Sequence, residues 1–373
     1  MGRESRKKWA RARKPGSERP SLKHVADATG FSISTVSAVL GGRADRLGIA
    51  AGTQAAILAA AKELDYQPNL HARSLRSRTT TLVGLMVPTL NNRFFSEMAE
   101  TFERVARKDG KLPLITVTNY DRREELESLK YYLSQHVQCV FNANPTGIHE
   151  LTELCRSSGT KQILLDAPDT GADTVATDNH EASLVLTRVI LDSIAAEGRK
   201  GRVYFVGGMV DHEVTKLRLA GFRAALLEQD IRYSGDLFLD TLFNGESAYR
   251  RVELLFRSHT DVAGMFVNSL LPMDGVIRFF GEHPDLCRPV HYGVFDYHPM
   301  MDLLVDLHIG AVRQNPELMM QRAWKIFAEP APHRQERMQY VPYDLIVSPT
   351  LRRFLPEAPR LARQMGRRRE PSS

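Results

Sequence analysis

The chain has 373 residues, more than one domain usually holds, and its 43% hydrophobic and 25% charged residues exclude a disordered or membrane-embedded protein. The net charge of +6 is uneven, because residues 1–80 carry 15 Lys and Arg against 6 Asp and Glu, whereas residues 81–351 carry 28 against 36. A basic head on an acidic body indicates a polyanion-binding head, although a solvated basic tail explains the charge equally well. Three scattered cysteines, a basic N-terminus without an apolar export signal and no membrane-length apolar run favour a cytoplasmic protein.

The first 67 residues contain an extension and a helical head. Residues 1–20 are rich in charge, Pro and Gly without apolar periodicity, which predicts a disordered basic extension. Residues 21–67 hold three short amphipathic patterns, preceded by Ser or Thr residues that can cap helices and ended by Gly or Pro. The first two, Leu22–Thr29 and Ile33–Leu40, have the dimensions of a helix-turn-helix, and the alternative is a plain three-helix packing unit.

In a helix-turn-helix, the start of the second helix enters the major groove of DNA. Short side chains there let the helix lie deep in the groove, and hydroxyl groups together with backbone N–H groups bond phosphates. The sequence therefore predicts a DNA-contacting set on this helix, at Ser32, Ile33, Ser34, Thr35, Ser37 and Ala38.

Residues 68–80 connect this head to the rest of the chain. They are either a plain linker or a short helix that enters the minor groove and wedges a base step, because they combine cationic side chains with an apolar one. On the second interpretation the DNA-contacting residues are Asn69, Arg73 and Leu75.

Residues 81–351 alternate apolar runs of strand length with amphipathic stretches of helix length, which predicts an α/β body with parallel sheets. This body exceeds the size of one core, so we expect two similar lobes with a cleft between them. Ligands bind such a body where the carboxyl ends of strands face the cleft, which makes Arg218 and Asp296 candidates for clamping a polyol. From spacing alone, a surface arginine and a helix cap explain these two residues better. Residues 352–373 form a basic tail of unknown role.

Three segments together carry a resemblance to a known family. They read LKHVADATGFSISTVSAVL, AAKELDYQPNLHARSLRS and TLVGLMVP, and they look like the opening of the LacI/GalR family of bacterial repressors. The resemblance implies a helix-turn-helix head, a hinge helix and a two-lobed periplasmic-binding-protein-like body that dimerises, with tetramers left open. It places Ile33, Ser34 and Ala38 at recognition positions and Leu75 at the intercalating hinge position. Ala38 departs from the larger polar residue that is common there, which puts direct readout at that base in doubt.

Finer features look like the fructose repressor subgroup of that family. The loop GGRADRLGIAAGT and the stretch AVRQNPELMMQRAWKIF carry this resemblance, which sucrose regulators share in part. The resemblance reverses the earlier interpretation of Arg218 and Asp296 as a surface residue and a helix cap. Both positions match the effector contacts of the family. By the same resemblance, weaker effector-binding candidates are Asn91, Phe95, Ser269 and Gln314, although Phe95 equally fits core packing.

The sequence carries no pattern typical of an enzyme. It has no P-loop, GxSxG elbow or HExxH motif, and the histidines considered show no ligand spacing, so we expect no catalytic residue, no metal and no cofactor. The predicted function is that of a repressor of sugar-metabolism genes, released from a palindromic operator DNA by a sugar or sugar-phosphate effector. The alternative is a sugar-binding protein of transport or chemotaxis, which would carry an export signal and no basic head.

Overall fold

The computed structural model describes residues 20–66, 80–168, 170, 172–304, 306–329 and 338–354. They fall into two compact units that divide between Thr80 and Thr81. Within these ranges, no helix combines the length and the apolar character that crossing a bilayer requires.

The first unit is a bundle of three helices: α1 (Leu22–Thr29), α2 (Ile33–Leu40) and α3 (Ala51–Glu63). Helix α1 ends at Gly30, which adopts a left-handed backbone with φ of 76° and reverses the chain towards α2. The hydroxyl of Ser32 then accepts a hydrogen bond from the backbone N–H of Thr35 and caps α2. A small core holds the bundle together, and its fully buried members are Val25, Val36 and Ile57.

The second unit begins with a lobe built on a six-stranded parallel sheet of order β11-β5-β4-β3-β1-β2. Continuous apolar runs form its inner strands because helices cover both faces of such a sheet. Its strands are β1 (Leu82–Val87), β2 (Leu112–Val117), β3 (Cys139–Ala143), β4 (Lys161–Leu165), β5 (Thr174–Thr177) and β11 (Met338–Val341). Its helices are α4 (Arg93–Lys108), α5 (Arg122–Ser134), α6 (Ile148–Ser158) and α12 (Pro316–Ala328).

The other lobe has a six-stranded sheet of order β12-β10-β9-β8-β6-β7, in which only the edge strand β12 is antiparallel to its neighbour. Its strands are β6 (Arg202–Val206), β7 (Phe238–Leu239), β8 (Val262–Val267), β9 (His291–Phe295), β10 (His308–Arg313) and β12 (Asp344–Val347). Its helices are α7 (Asn179–Ala196), α8 (Glu213–Glu228), α9 (Gly245–Ser258), α10 (Leu270–Glu282), α11 (Pro284–Cys287) and α13 (Pro349–Arg352).

The chain passes between the lobes three times, after β5, after β10 and between β11 and β12. Each lobe has its own large apolar core. The two-lobed α/β body and the helical head that the sequence predicts are thus confirmed, whereas the antiparallel β12 was not foreseen. The carboxyl ends of the two sheets meet, and the polar groups described next lie there.

Candidate functional site

The centre of the body is a buried hydrogen-bonded network around Arg218, which helix α8 presents from the second lobe. The Nε atom of Arg218 donates to Oδ1 of Asn179 at 2.8 Å, and one terminal nitrogen donates to the backbone oxygen of Asn268 at 2.5 Å. The other terminal nitrogen lies 3.4 Å from Oδ2 of Asp166, which follows β4 in the first lobe. Asn179 in turn donates to Oδ1 of Asp166 at 2.8 Å. The network therefore joins the two lobes.

Burial shifts the pKa values of Arg218 and Asp166 in opposite directions. Loss of solvent lowers the pKa of Arg218 and raises that of Asp166, and the attraction between the two groups opposes both shifts. The ion pair therefore offsets the desolvation of two buried charges, and neither partner can be removed without leaving the other unpaired.

A second network lies beside the first, around Asp296 at the end of β9. Its Oδ1 accepts a hydrogen bond from Gln314 at 2.7 Å, and its Oδ2 accepts one from Asn92 at 3.2 Å. Asn92 belongs to the first lobe and caps α4 through the N–H of Phe94. This bond is therefore a second polar link across the cleft.

Three aromatic rings from the two lobes pack together near the polar networks. Tyr120 from the first lobe stacks on Phe243 from the second, with ring centroids 4.6 Å apart and planes 8° apart. His212 packs edge-on against both rings. Burial lowers the pKa of His212 to about 4 and raises that of Tyr120, so both side chains are neutral at pH 7.

Several buried polar atoms around the cleft have no hydrogen-bond partner within the protein. Such atoms are rare in folded proteins because each costs about 1–3 kcal/mol, and at a cleft they are positions for a ligand to bond. They are Oδ1 of Asn144, Oγ1 of Thr241, Oδ1 of Asn268, Oγ of Ser269 and Oε1 of Gln314.

The backbone is strained where it enters the cleft. Asp166 and Asp296 have φ values of 45° and 78°, which are unfavourable for residues with a side chain. Backbone strain of this kind is common at binding sites, where it directs side chains to positions that a relaxed turn would not give them. Gly208 takes φ of 82° at the same edge, and a Cβ there would lie 2.6 Å from Nδ2 of Asn268.

Four of the predicted effector residues lie together in the cleft, namely Arg218, Ser269, Asp296 and Gln314. Asn91 is exposed, and its neighbour Asn92 is the residue that reaches Asp296. Phe95 is 2% exposed and packs with Phe94 among the buried apolar residues of the first lobe. The structure therefore does not bring Asn91 and Phe95 into the polar network, and their roles as effector contacts stay predictions.

Sequence reasoning missed four polar residues of the cleft, namely Asn92, Asp166, Asn179 and Asn268. A usable signal existed for Asp166 and Asn268, because each directly follows an apolar strand. Asn179 had no such signal, since its role depends on how α7 passes from one lobe to the other.

The head presents three of the six described DNA-contacting candidates fully to solvent. Ser32, Ser34 and Ile33 are exposed at the start of α2, with Ile33 at 42%, and the hydroxyls of Ser34 and Thr35 lie within 2.8 Å of that of Ser32. Ser37 is half-buried. Ala38 is only 5% exposed, which leaves its methyl group little surface for a base. Asn69, Arg73 and Leu75 lie outside the described residues.

A helix-turn-helix unit and a two-lobed α/β body with a polar cleft define a ligand-responsive DNA-binding protein. Comparison with known families agrees for both parts. Residues 83–329 match the periplasmic binding protein domain, and residues 21–69 match the bacterial regulatory proteins of the lacI family. The chain belongs to the lacI family of transcriptional regulators.

Individual relatives agree with this assignment. The chain is 34% identical to the ribitol operon repressor of Klebsiella aerogenes over 185 residues, 49% of this chain and 68% of that protein. It is 27% identical to the sucrose operon repressor of Klebsiella pneumoniae over 314 residues, 83% and 91% of the two chains. A lacI-family regulator from Silicibacter pomeroyi has the same fold, with a TM-score of 0.74, 21% identity and coverage of 89% and 99%. The resemblance to this family of sugar-operon regulators is thereby confirmed.

Proposed function

We propose that this chain is a dimeric repressor of genes for the metabolism of a sugar or sugar alcohol, released from a palindromic operator by an effector bound in the cleft. The names of the ribitol and sucrose operon repressors support the gene class. In this proposal the chain acts in the cytoplasm and catalyses no reaction. The domain bounds proposed from the sequence stay as given: a head over residues 21–67, a hinge over 68–80 and a body over 81–351.

The cleft network is the observation that carries the proposal. It brings amide, carboxylate and guanidinium groups together between the lobes, and these groups match the alternating donors and acceptors of a polyol. The partnerless oxygens of Ser269 and Gln314 would bond ligand hydroxyls.

We further propose that the effector is uncharged. Arg218 is the only buried Lys or Arg side chain in the described ranges, and it already faces the carboxylates of Asp166 and Asp296. A phosphate would need further cationic or N–H donors, and it would be repelled by the two carboxylates. A neutral sugar or sugar alcohol meets neither difficulty.

Release from DNA follows from the links between the lobes. The Asp166–Arg218 and Asn92–Asp296 contacts hold the two sheets together across the cleft. An effector that exchanges these bonds for its own changes the lobe arrangement, and a coupling free energy of about 1–3 kcal/mol to the operator site is sufficient for a switch.

On the DNA side, we propose that α2 enters the major groove with Ile33 and Ser34 towards the bases. Hydroxyl groups of Ser32, Thr35 and Ser37 would bond phosphates. The hinge residues Asn69, Arg73 and Leu75 would read the minor groove. A transport or chemotaxis protein with the same body would have no use for such a head, and we therefore set that alternative aside.

The test is fluorescence anisotropy with the full chain and the DNA that flanks its own gene, with scrambled DNA as control. We expect specific, salt-sensitive binding that ribitol, sucrose or free fructose reverses and fructose 1-phosphate does not. Equal binding to scrambled DNA would refute the repressor proposal. Release by the phosphorylated sugar alone would refute only the uncharged effector.

A further inference from the structure

A group of potential metal ligands lies in the second lobe at the end of the sheet opposite the cleft. Glu197 directly follows α7, and His291 and His308 are the first residues of the neighbouring strands β9 and β10. The two histidines are paired in register, so adjacent parallel strands hold them side by side. Nothing in the effector cleft uses these residues.

The three side chains converge on one point. Nε2 of His291 lies 2.7 Å from Oε2 of Glu197, and the two imidazole rings are stacked with centroids 4.6 Å apart. One potential ligand atom from each residue lies within 4.8 Å of the other two. Tetrahedral zinc with bonds of about 2.0–2.1 Å needs ligand atoms roughly 3.3 Å apart, which small side-chain rotations provide.

The hydrogen bonds around His291 allow the tautomer that a metal-binding histidine needs. The hydroxyl of Ser193 donates to the backbone oxygen of Ile190 at 2.8 Å, and the Oγ atom of Ser193 lies 2.7 Å from Nδ1 of His291. When the hydroxyl proton is used in this way, Nδ1 of His291 is the donor in this contact. In the neutral ring, Nε2 then carries a lone pair that faces the carboxylate of Glu197.

Two lone pairs at 2.7 Å repel each other unless a cation lies between them. A ligating histidine whose other nitrogen donates a hydrogen bond is the usual arrangement at metal sites. In addition, Nδ1 of His308 is buried without a hydrogen-bond partner.

We propose that Glu197, His291 and His308 form a binding site for a divalent transition-metal ion of the Zn²⁺ class, with a fourth position left for water. Two imidazoles and one carboxylate are a ligand set that Zn²⁺ takes up with an open position. The ion would connect the end of α7 to the first residues of β9 and β10. Arg199, whose terminal nitrogen lies 4.0 Å from Oε2 of Glu197, competes for that carboxylate.

The alternative occupant of the site is a proton on Nε2 of His291, which would form an ion pair with Glu197. Removal of Arg199 favours both states, because each places a positive charge beside Glu197. The two states differ at His308, because a proton on His291 makes no use of His308, whereas a metal ion needs it.

The experiment is isothermal titration of Zn²⁺ into the full chain, purified without a polyhistidine tag, with Co²⁺ absorption as a second readout. We expect one ion per chain, and a Zn²⁺-dependent rise in the melting temperature. His308→Asn and Glu197→Gln should weaken binding at least about tenfold, and Arg199→Met should tighten it. The matched control is His149→Gln, which changes an exposed histidine of the other lobe.

Zn²⁺ binding below one ion per chain, or equal binding by Glu197→Gln and the unaltered chain, would overturn the proposal. Glu197 is partly exposed, so its substitution leaves the core intact if His308→Asn fails to fold. Operator binding by each variant reports whether the chain is folded, independently of the metal.

Discussion

The guanidinium carbon of Arg218 lies 3.6 Å from the centre of the Phe295 ring. This stacking fixes the plane of the guanidinium, so its edges point towards Asn179, Asp166 and the backbone of Asn268. A planar guanidinium group can stack on an aromatic ring and donate hydrogen bonds from its edge at the same time, whereas a lysine ammonium group cannot. The pair therefore explains why an arginine is required at this position.

Arg218→Lys should keep operator binding but lower effector affinity at least about tenfold, which corresponds to about 1.4 kcal/mol. The charge that balances Asp166 remains, whereas the stacking and the fork are lost. Anisotropy titration with effector measures the change. Arg223→Lys, on the exposed side of the same helix, is the control. An unchanged effector response in Arg218→Lys would contradict the assignment of the cleft.

The neighbouring residues Asn91 and Asn92 form a matched pair for mutation. Asn92→Ser keeps an oxygen to cap α4 but cannot reach Asp296, so we expect a changed effector response and a loss of stability of about 1–3 kcal/mol from the partnerless Asp296 oxygen. Asn91→Ser changes an exposed side chain and should respond as the unaltered protein does. The half-maximal effector concentration for operator release is the measurement, and equal values for the two variants would refute the link.

The protein should become less stable as the pH is lowered, because His212 is buried in its neutral form. Burial lowers the pKa of His212 to about 4 in the folded state, against about 6.5 in the unfolded chain. Between these values the unfolded chain binds more protons, so stability is lost as the pH falls from about 6.5 to 4, by about 3 kcal/mol in total. Urea unfolding at several pH values should show a shallower dependence for His212→Gln, and no such change for His149→Gln.

Helices α7 and α8 approach each other closely at Gly221. A Cβ there would lie 2.2 Å from the backbone oxygen of His180 and 2.9 Å from the backbone nitrogen of Leu184. Backbone atoms cannot yield as side chains do, so Gly221→Ala should destabilise the body by about 1–3 kcal/mol. Gly281→Ala meets no atom within 4 Å in α10 and should be neutral or slightly stabilising. Urea midpoints of the two variants decide the comparison.

Ile33 is the exposed apolar residue at the start of α2. If it contacts a base, Ile33→Ala should cost about 1–3 kcal/mol on the operator and much less on scrambled DNA. Leu58→Ala, at an exposed apolar position on α3, should leave both affinities unchanged. Equal losses on the two DNAs for Ile33→Ala would assign Ile33 to the stability of the head instead.

The sequence predicts the fold better than the details of the cleft. Apolar runs and capping residues locate the strands and helices because they depend on local chemistry. The rule that ligands bind at strand ends identifies Asp296, but it cannot distinguish Asn91 from Asn92, since that depends on the orientation of one cap. Phe95 has the pattern of both a core residue and a sugar contact, and only packing decides between them.

The order of strands in the two sheets also has a consequence for synthesis of the chain. The first lobe takes α12 and β11 from the end of the sequence, and the second lobe takes β12 from residues 344–347. On the ribosome, the head can fold as soon as residue 66 has emerged, because residues 22–66 supply its apolar core. Neither sheet can gain its last strand until residues 338–347 have been synthesised. Nascent chains therefore carry a folded head well before they carry a complete cleft.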